Sequence, residues 1–230
     1  SIHYGGAMGI IAVLKCRWAT VILPALLLPA FTPASSLLAQ DTDVQVDFLP
    51  LAEEVALALS AAPEHLRDGA AVFALTPAGF VEAQRGTNGF ACVVNRDHPR
   101  NRKPTCYDAE GIGAILPKVL LVGELIAKGF SMAAINDSVE AGFASGRFWA
   151  PTRPGVAYML SRGIRTYNPR DGSYGTFPPH MMFYAPNMKN ADIGVSRDAR
   201  AGQPWLPFIA YQGPHGFMVV MVPDEDVPGL

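Results

Sequence analysis

Two histidines occur in similar local sequences, each directly after a proline and ahead of large apolar residues. His180 lies in "PPHMMFYAPNM" (178–188) and His215 in "GPHGFMVVMVP" (213–223). If the strands that follow them run in the same direction as near neighbours, both imidazoles lie at one end of a sheet, roughly 5 to 10 Å apart, given strand spacings near 4.8 Å. This pair is therefore the best candidate for a site.

Two imidazoles with a carboxylate suit zinc, which lowers the pKa of a bound water for hydrolysis. Asp192 and Asp198 lie in the loop 186–206 that follows the first strand and would have to fold back to join the histidines; Asp192 is taken as the candidate ligand. Without metal, His180, Tyr184 and His215 are candidate contacts for a small ligand. The favoured interpretation is structural, since a histidine after proline at a strand entrance can bond an unpaired backbone carbonyl.

Common catalytic motifs are incomplete. The serine of "GFASG" (142–146) stands one position too late for a nucleophile elbow, and "GIG" (111–113) lacks the third glycine of a dinucleotide loop. The chain contains no H-E-x-x-H. We therefore assign no catalytic residue.

The segment from Met8 has the layout of a secretory signal peptide. Lys15 and Arg17 precede the apolar run 18–31, and "TPASSLLAQD" follows it. We expect upstream residues and a signal peptide over 1–40, cleavage near Ala39, and one secreted or periplasmic domain over 41–230, with no membrane insertion after cleavage. The alternative is an uncleaved anchor, although the apolar run has 14 residues and a spanning helix needs roughly 20.

The charge of the predicted mature chain is mildly acidic. Residues 41–230 carry 16 Lys and Arg against 20 Asp and Glu. A balance of this sign does not favour a nucleic-acid partner.

Cys92 and Cys106 remain after the predicted cleavage. An even pair in an exported chain predicts a disulfide, which here would close a polar, proline-containing loop. The alternative is a metal site with His98, whose spacing matches no zinc pattern. The basic residues of this loop predict a solvated surface, and the alternative is contact with an anion; they are Arg96, Arg100, Arg102 and Lys103.

Hydrophobic periodicity predicts the main elements. It indicates helices near 50–60, over "GIGAILPKVLLVGELIAKG" (111–129) and after Ser131, the last two joined by Gly129 and Phe130. Apolar runs between turn residues predict antiparallel strands, near 71–75, 79–84, 89–95, 155–161, 180–185, 207–212 and 217–222. The predicted fold class is α+β: an antiparallel sheet covered on one face by a helical hairpin, with a disulfide-pinned loop.

Four stretches in this order resemble a group of uncharacterised secreted bacterial proteins. They are "GTNGFACVV" (86–94), "SMAAI" (131–135), "PGVAYMLS" (154–161) and "PPHMMFYAP" (178–186). The resemblance covers residues 51–222 and implies one secreted domain. The group has no assigned activity, so no functional residue is transferred from it.

The sequence therefore predicts a secreted or periplasmic domain that binds a small ligand or an envelope protein without catalysis. One alternative is a metal-assisted hydrolase that uses His180 and His215. Another is an accessory subunit of a membrane complex. No cofactor is predicted, and zinc is considered only with the hydrolase.

Overall fold

The computed structural model describes residues 46–223 of the 230-residue chain. The predicted signal peptide and its cleavage point near Ala39 lie outside the described residues. Among the helices of 46–223, none is long and apolar enough to cross a membrane.

The described chain contains six α-helices, one 3-10 helix (Asn190–Ile193) and ten strands. The helices are α1 (Leu51–Leu59), α2 (Glu64–Arg67), α3 (Ala109–Ala114), α4 (Leu116–Ala127), α5 (Met132–Ala144) and α6 (Arg197–Gly202). The strands are β1 (Ala71–Thr76), β2 (Gly79–Gln84), β3 (Ala91–Asn95), β4 (Lys103–Tyr107), β5 (Val156–Met159), β6 (Thr166–Tyr167), β7 (Tyr174–Gly175), β8 (His180–Tyr184), β9 (Phe208–Ala210) and β10 (Phe217–Met221).

Eight strands form one sheet in the order β2-β1-β3-β4-β5-β8-β10-β9. All neighbouring strands are antiparallel except β1 and β3. The α+β class with a mostly antiparallel sheet is therefore confirmed. β6 and β7 form a separate two-stranded ribbon.

The prediction that the first three strands are all antiparallel is wrong for β3. β2 returns alongside β1, and the chain then crosses the start of β1, so that β3 begins at the same end as β1. Backbone bonds hold this crossing, from Ala71 N to Phe90 O (2.8 Å) and from Thr87 N to Gly69 O (2.7 Å). β3 therefore pairs in parallel with the edge of β1 that β2 leaves open.

The predicted helical hairpin is α4 and α5. Pro117 lies in the first turn of α4, where its missing N–H costs nothing. Gly129 ends the hairpin's first arm with φ +76°, and the Ser131 hydroxyl caps α5 by accepting from Ala134 N at 3.3 Å. The hairpin covers one face of the sheet, where its apolar side chains join two hydrophobic clusters of the core.

Helix α1 packs on the opposite face, against β1, β3 and β4. Small side chains at Ala58, Ala61 and Ala62 allow close approach to the sheet there. Cys92 and Cys106 occupy directly paired positions of β3 and β4 on this face and form the predicted disulfide.

The basic segment between the cysteines differs from the solvated loop expected from sequence. Residues 103–107 form a buried strand, β4, and the Arg96 side chain is fully buried against Glu54 of α1. The local sequence, rich in charge and proline, does not indicate this strand. It is buried because residues distant in sequence cover β4 on both faces.

Candidate functional site

A cavity of about 580 Å³ lies between the sheet and the helical hairpin. Pockets for small molecules usually have volumes of about 300 to 1,000 Å³ and mostly apolar walls. The sheet supplies one wall and the inward faces of α4 and α5 the other. The apolar side chains of the lining are Ile115, Val119, Val122, Val139, Phe143, Met159, Ile164, Phe177, Met182, Phe208, Ala210, Phe217 and Val219.

The exposed residues of the lining come from two segments, 176–177 and 211–214. Tyr211 is 65% exposed and has φ +57°, a left-handed conformation that costs a non-glycine residue about 1 to 2 kcal/mol. The next segment turns back through Gly213 into β10. The cavity therefore opens to solvent beside an aromatic side chain held in a strained backbone position.

A polar cluster occupies the part of the cavity formed by β3 and β4. Because side chains alternate along a strand, Asn95, Lys103, Thr105 and Tyr107 all point to the cavity face. The Lys103 Nζ lies 2.5 Å from Asp97 Oδ2. Burial opposes ionisation of Asp97, but the charge of Lys103 and a hydrogen bond from Asn101 (2.7 Å) lower the pKa of that carboxyl.

Lys118 is the charged group of the lining that has no countercharge in contact. It stands on the cavity face of α4, and it forms no ion pair or hydrogen bond within the part of the chain described. Burial lowers the pKa of its ammonium group, and the charge of Asp97 opposes this shift only in part.

His215 lines the cavity and is buried, with 6% of its surface exposed. Its Nε2 donates to the Trp149 carbonyl at 2.9 Å, and its ring lies edge-on to Phe143. Burial lowers the pKa of His215 to about 4, and the positive charge of Lys118 contributes to this shift. At neutral pH the imidazole is therefore uncharged, and its Nδ1 has no partner in residues 46–223.

His180 also lines the cavity and is 4% exposed. Its Nδ1 donates to the Pro178 carbonyl at 2.8 Å, and its ring contacts Phe177 edge-on. Burial lowers the pKa of His180 as well. Each histidine thus bonds a backbone carbonyl, as the structural interpretation of the sequence expects.

The prediction that the two histidines lie at one end of the sheet is wrong. β8 and β10 are direct antiparallel neighbours: His180 pairs with Met221, and Tyr184 pairs with Phe217. Four strand residues, about 13 Å at 3.3 Å per residue, separate these two levels, and His215 precedes Phe217. The prediction needs the strand near 207–212 (β9) to lie between β8 and β10, so that these two strands run in the same direction. Instead, the connection 185–207 carries the chain past β10 and places β9 at the sheet edge.

Tyr184, the third expected ligand contact, is not part of the cavity lining. Its hydroxyl donates to Asp108 Oδ1 at 2.7 Å and also contacts the Val156 carbonyl at 3.1 Å. Burial and the neighbouring carboxylate raise the pKa of Tyr184. Asp108 in turn caps α3 by accepting from Gly111 N, so Tyr184 joins the sheet to the start of that helix.

The residues considered as metal ligands, His180, His215 and Asp192, are not brought together. Asp192 is exposed on the 3-10 helix, where its carboxylate accepts from the Lys189 amide at 2.8 Å. Across 46–223, no group of three or more His, Cys, Asp or Glu side chains has the arrangement of a metal site. The structure therefore lends no support to a zinc site with these three ligands.

The sequence does contain signals for the cavity residues that were missed. Lys118 is the one charged residue in the nine-residue run "GAILPKVLL" (113–121) of a helix predicted to be buried. A lone cation at a predicted core position requires either a partner or a cavity. The alternation of polar side chains over 103–107 would also have indicated a strand with a polar inner face.

The chain matches no protein-family model, no curated protein and no solved structure. The resemblance to secreted bacterial proteins therefore stays a prediction.

Proposed function

We propose that this domain binds a small, largely apolar molecule in the cavity between the sheet and the α4–α5 hairpin, without catalysing a reaction on it. The observation that carries the proposal is the cavity itself, about 580 Å³ with mostly apolar walls. Such a volume inside a domain would ordinarily be filled by side chains, because protein cores pack as densely as organic crystals.

The polar groups of the lining support binding over catalysis. His180 and His215 each use one nitrogen on a backbone carbonyl, which orients the ring but leaves no carboxylate behind it to raise its basicity. The two rings also lie at different levels of the β8–β10 pair. A metal-assisted hydrolase therefore gains no support from this geometry.

A neutral, apolar fluorescent probe such as Nile red tests the proposal. We expect it to bind the full chain at one site, and we expect Val139→Trp to abolish binding because Val139 lines the cavity from α5. Glu140→Trp is the matched control, since Glu140 is an exposed neighbour on the same helix and does not line the cavity. Equal affinity of the two variants, or no binding by the unmodified chain, would contradict the proposal.

We further propose that the domain acts outside the cytoplasm, in the periplasm or the medium. The disulfide between Cys92 and Cys106 supports this location, because disulfides persist in oxidising compartments. The signal-peptide pattern before Ala39 is the second support. Expression of the full chain in a Gram-negative host, followed by fractionation and N-terminal sequencing, tests it: we expect a product in the periplasm that begins near Gln40 or Asp41, and an intact N-terminus in the cytosol would refute it.

A further inference from the structure

We infer that the ligand of the cavity is an amphipathic monoanion, an apolar chain or ring that ends in a carboxylate held by the Lys118 ammonium group. This inference rests on the proposed function, because it names the chemical class of molecule bound at the same site.

The charges of the lining support an anion. Three lining residues have side chains whose ordinary state at neutral pH is charged, namely Asp97, Lys103 and Lys118. Asp97 and Lys103 are paired at 2.5 Å, so their charges compensate each other. The Lys118 charge is left over, and the lining has a net charge of +1, which a single carboxylate would balance.

Within residues 46–223, the surroundings of Lys118 do not provide another countercharge. Asp97 acts on it at longer range but lies outside ion-pair distance, and it is already bonded to Lys103 and Asn101. His215, the other titratable group that interacts with Lys118, is neutral at pH 7. A half-buried ammonium group without a partner is unfavourable, and a ligand carboxylate would restore the lost interactions.

The position of Lys118 also fits an amphipathic shape. Lys118 belongs to α4, next to Val119 and one turn before Val122, and both of these apolar residues line the same cavity. On its other side lies Asp97, which is close enough to act on the ammonium group electrostatically. The remaining wall, from β8, β9 and β10, is mainly apolar. A molecule with its carboxylate at Lys118 therefore has apolar surface available for its chain or ring.

A displacement experiment with matched ligands tests the inference. Nile red bound to the full chain is displaced by decanoate, decanol or decylammonium, each below its micelle-forming concentration. We expect decanoate to bind at least about tenfold more tightly than decanol, the effect of one charge-assisted hydrogen bond in a partly dry site, and decylammonium to bind most weakly.

Three variants locate the effect. Lys118→Met should bind Nile red and decanol as the unmodified chain does but lose the preference for decanoate, whereas Lys118→Arg should keep it. Lys128→Met is the control, because Lys128 is an exposed residue at the end of the same helix, outside the lining. Circular dichroism and retained Nile red binding verify that each variant is folded.

The outcomes separate the two proposals. If Nile red binds but decanol binds as tightly as decanoate, or if Lys118→Met keeps the preference, the anionic ligand is refuted and the apolar site stands. If Nile red and all three ligands fail to bind the unmodified chain, the proposed function is refuted, and the inference falls with it.

Discussion

Glu54 of α1 and Arg96, which follows β3, form an ion pair in which both side chains are fully buried, with Arg96 Nη2 2.6 Å from Glu54 Oε2. Arg96 also donates to the carbonyls of Asp47 and Asn101. Its two neighbours in sequence, Asn95 and Asp97, line the cavity on the other face of the sheet. The buried ion pair, on the face of the sheet opposite the cavity, therefore helps to position the cavity-lining residues Asn95 and Asp97.

Removing either charge of this pair should be costly. We expect Glu54→Leu and Arg96→Met each to lower the free energy of unfolding by roughly 3 to 5 kcal/mol, because the remaining charge is left buried without a partner. The double variant should be more stable than either single variant. Urea denaturation of all four proteins measures the coupling, and additive losses would show that the two side chains do not depend on each other.

The burial of His215 makes stability depend on pH. The folded-state pKa of about 4 lies below the ordinary value of 6.5, so between these values a proton binds only the unfolded chain. Above pH 6.5 His215 therefore costs the folded protein no stability. As the pH falls from 6.5 towards 4, the free energy of unfolding decreases by about 2 to 3 kcal/mol because the unfolded chain takes up the proton.

Replacing the imidazole should reduce this dependence. We expect the free energy of unfolding of His215→Gln to change less between pH 6.5 and 4, with a remaining slope from His180, whose pKa is lowered in the same direction. His65→Gln is the control, because His65 is exposed on α2. Identical pH profiles for His215→Gln and the unmodified chain would argue against a neutral, buried imidazole.

The Tyr184–Asp108 contact explains why residue 111 is glycine. A Cβ on Gly111 would collide with the Tyr184 hydroxyl, so we expect Gly111→Ala to destabilise the domain by about 1 to 3 kcal/mol. Tyr184→Phe removes the hydroxyl and should cost about 1 to 2 kcal/mol through the lost bond to Asp108.

The two changes should not be additive. In Gly111→Ala/Tyr184→Phe the new methyl group has lost its closest collision partner and keeps only the tight contacts to Tyr107 at 3.0 Å, so the double variant should be more stable than the sum of the single losses predicts. Thermal unfolding of the set measures this. Nile red affinity should be unchanged in Tyr184→Phe, since Tyr184 does not line the cavity; a large loss of affinity would restore Tyr184 as a ligand contact.

The disulfide gives a direct chemical prediction. In the denatured, unreduced protein, neither Cys92 nor Cys106 should react with a thiol-labelling reagent, and digestion should yield linked peptides that contain both residues. Reduction should lower the free energy of unfolding by about 3 kcal/mol, the value expected for a loop of this size. Labelling of Cys92 or Cys106 without reductant would contradict the structure.

Local patterns were sufficient for most elements of the fold. Pro50 and the two glutamates that follow predicted α1, Ser131 predicted the start of α5, and the apolar runs predicted β5, β8, β9 and β10. These features act through neighbouring residues, by capping, turn chemistry and the alternation of side chains, so a sequence displays them directly.

The sequence by itself also determined the disulfide, the α+β class and the local bonding of the two histidines to backbone carbonyls. Only the tertiary structure decided that β9 lies at the sheet edge, that His180 and His215 stand at opposite ends of antiparallel strands, and that Lys118 faces a cavity. The physical reason is that the connection 185–207 is long enough to permit several strand orders. Which order forms depends on the total apolar surface that the sheet and the α4–α5 hairpin bury together, and that is a property of residues far apart in the chain.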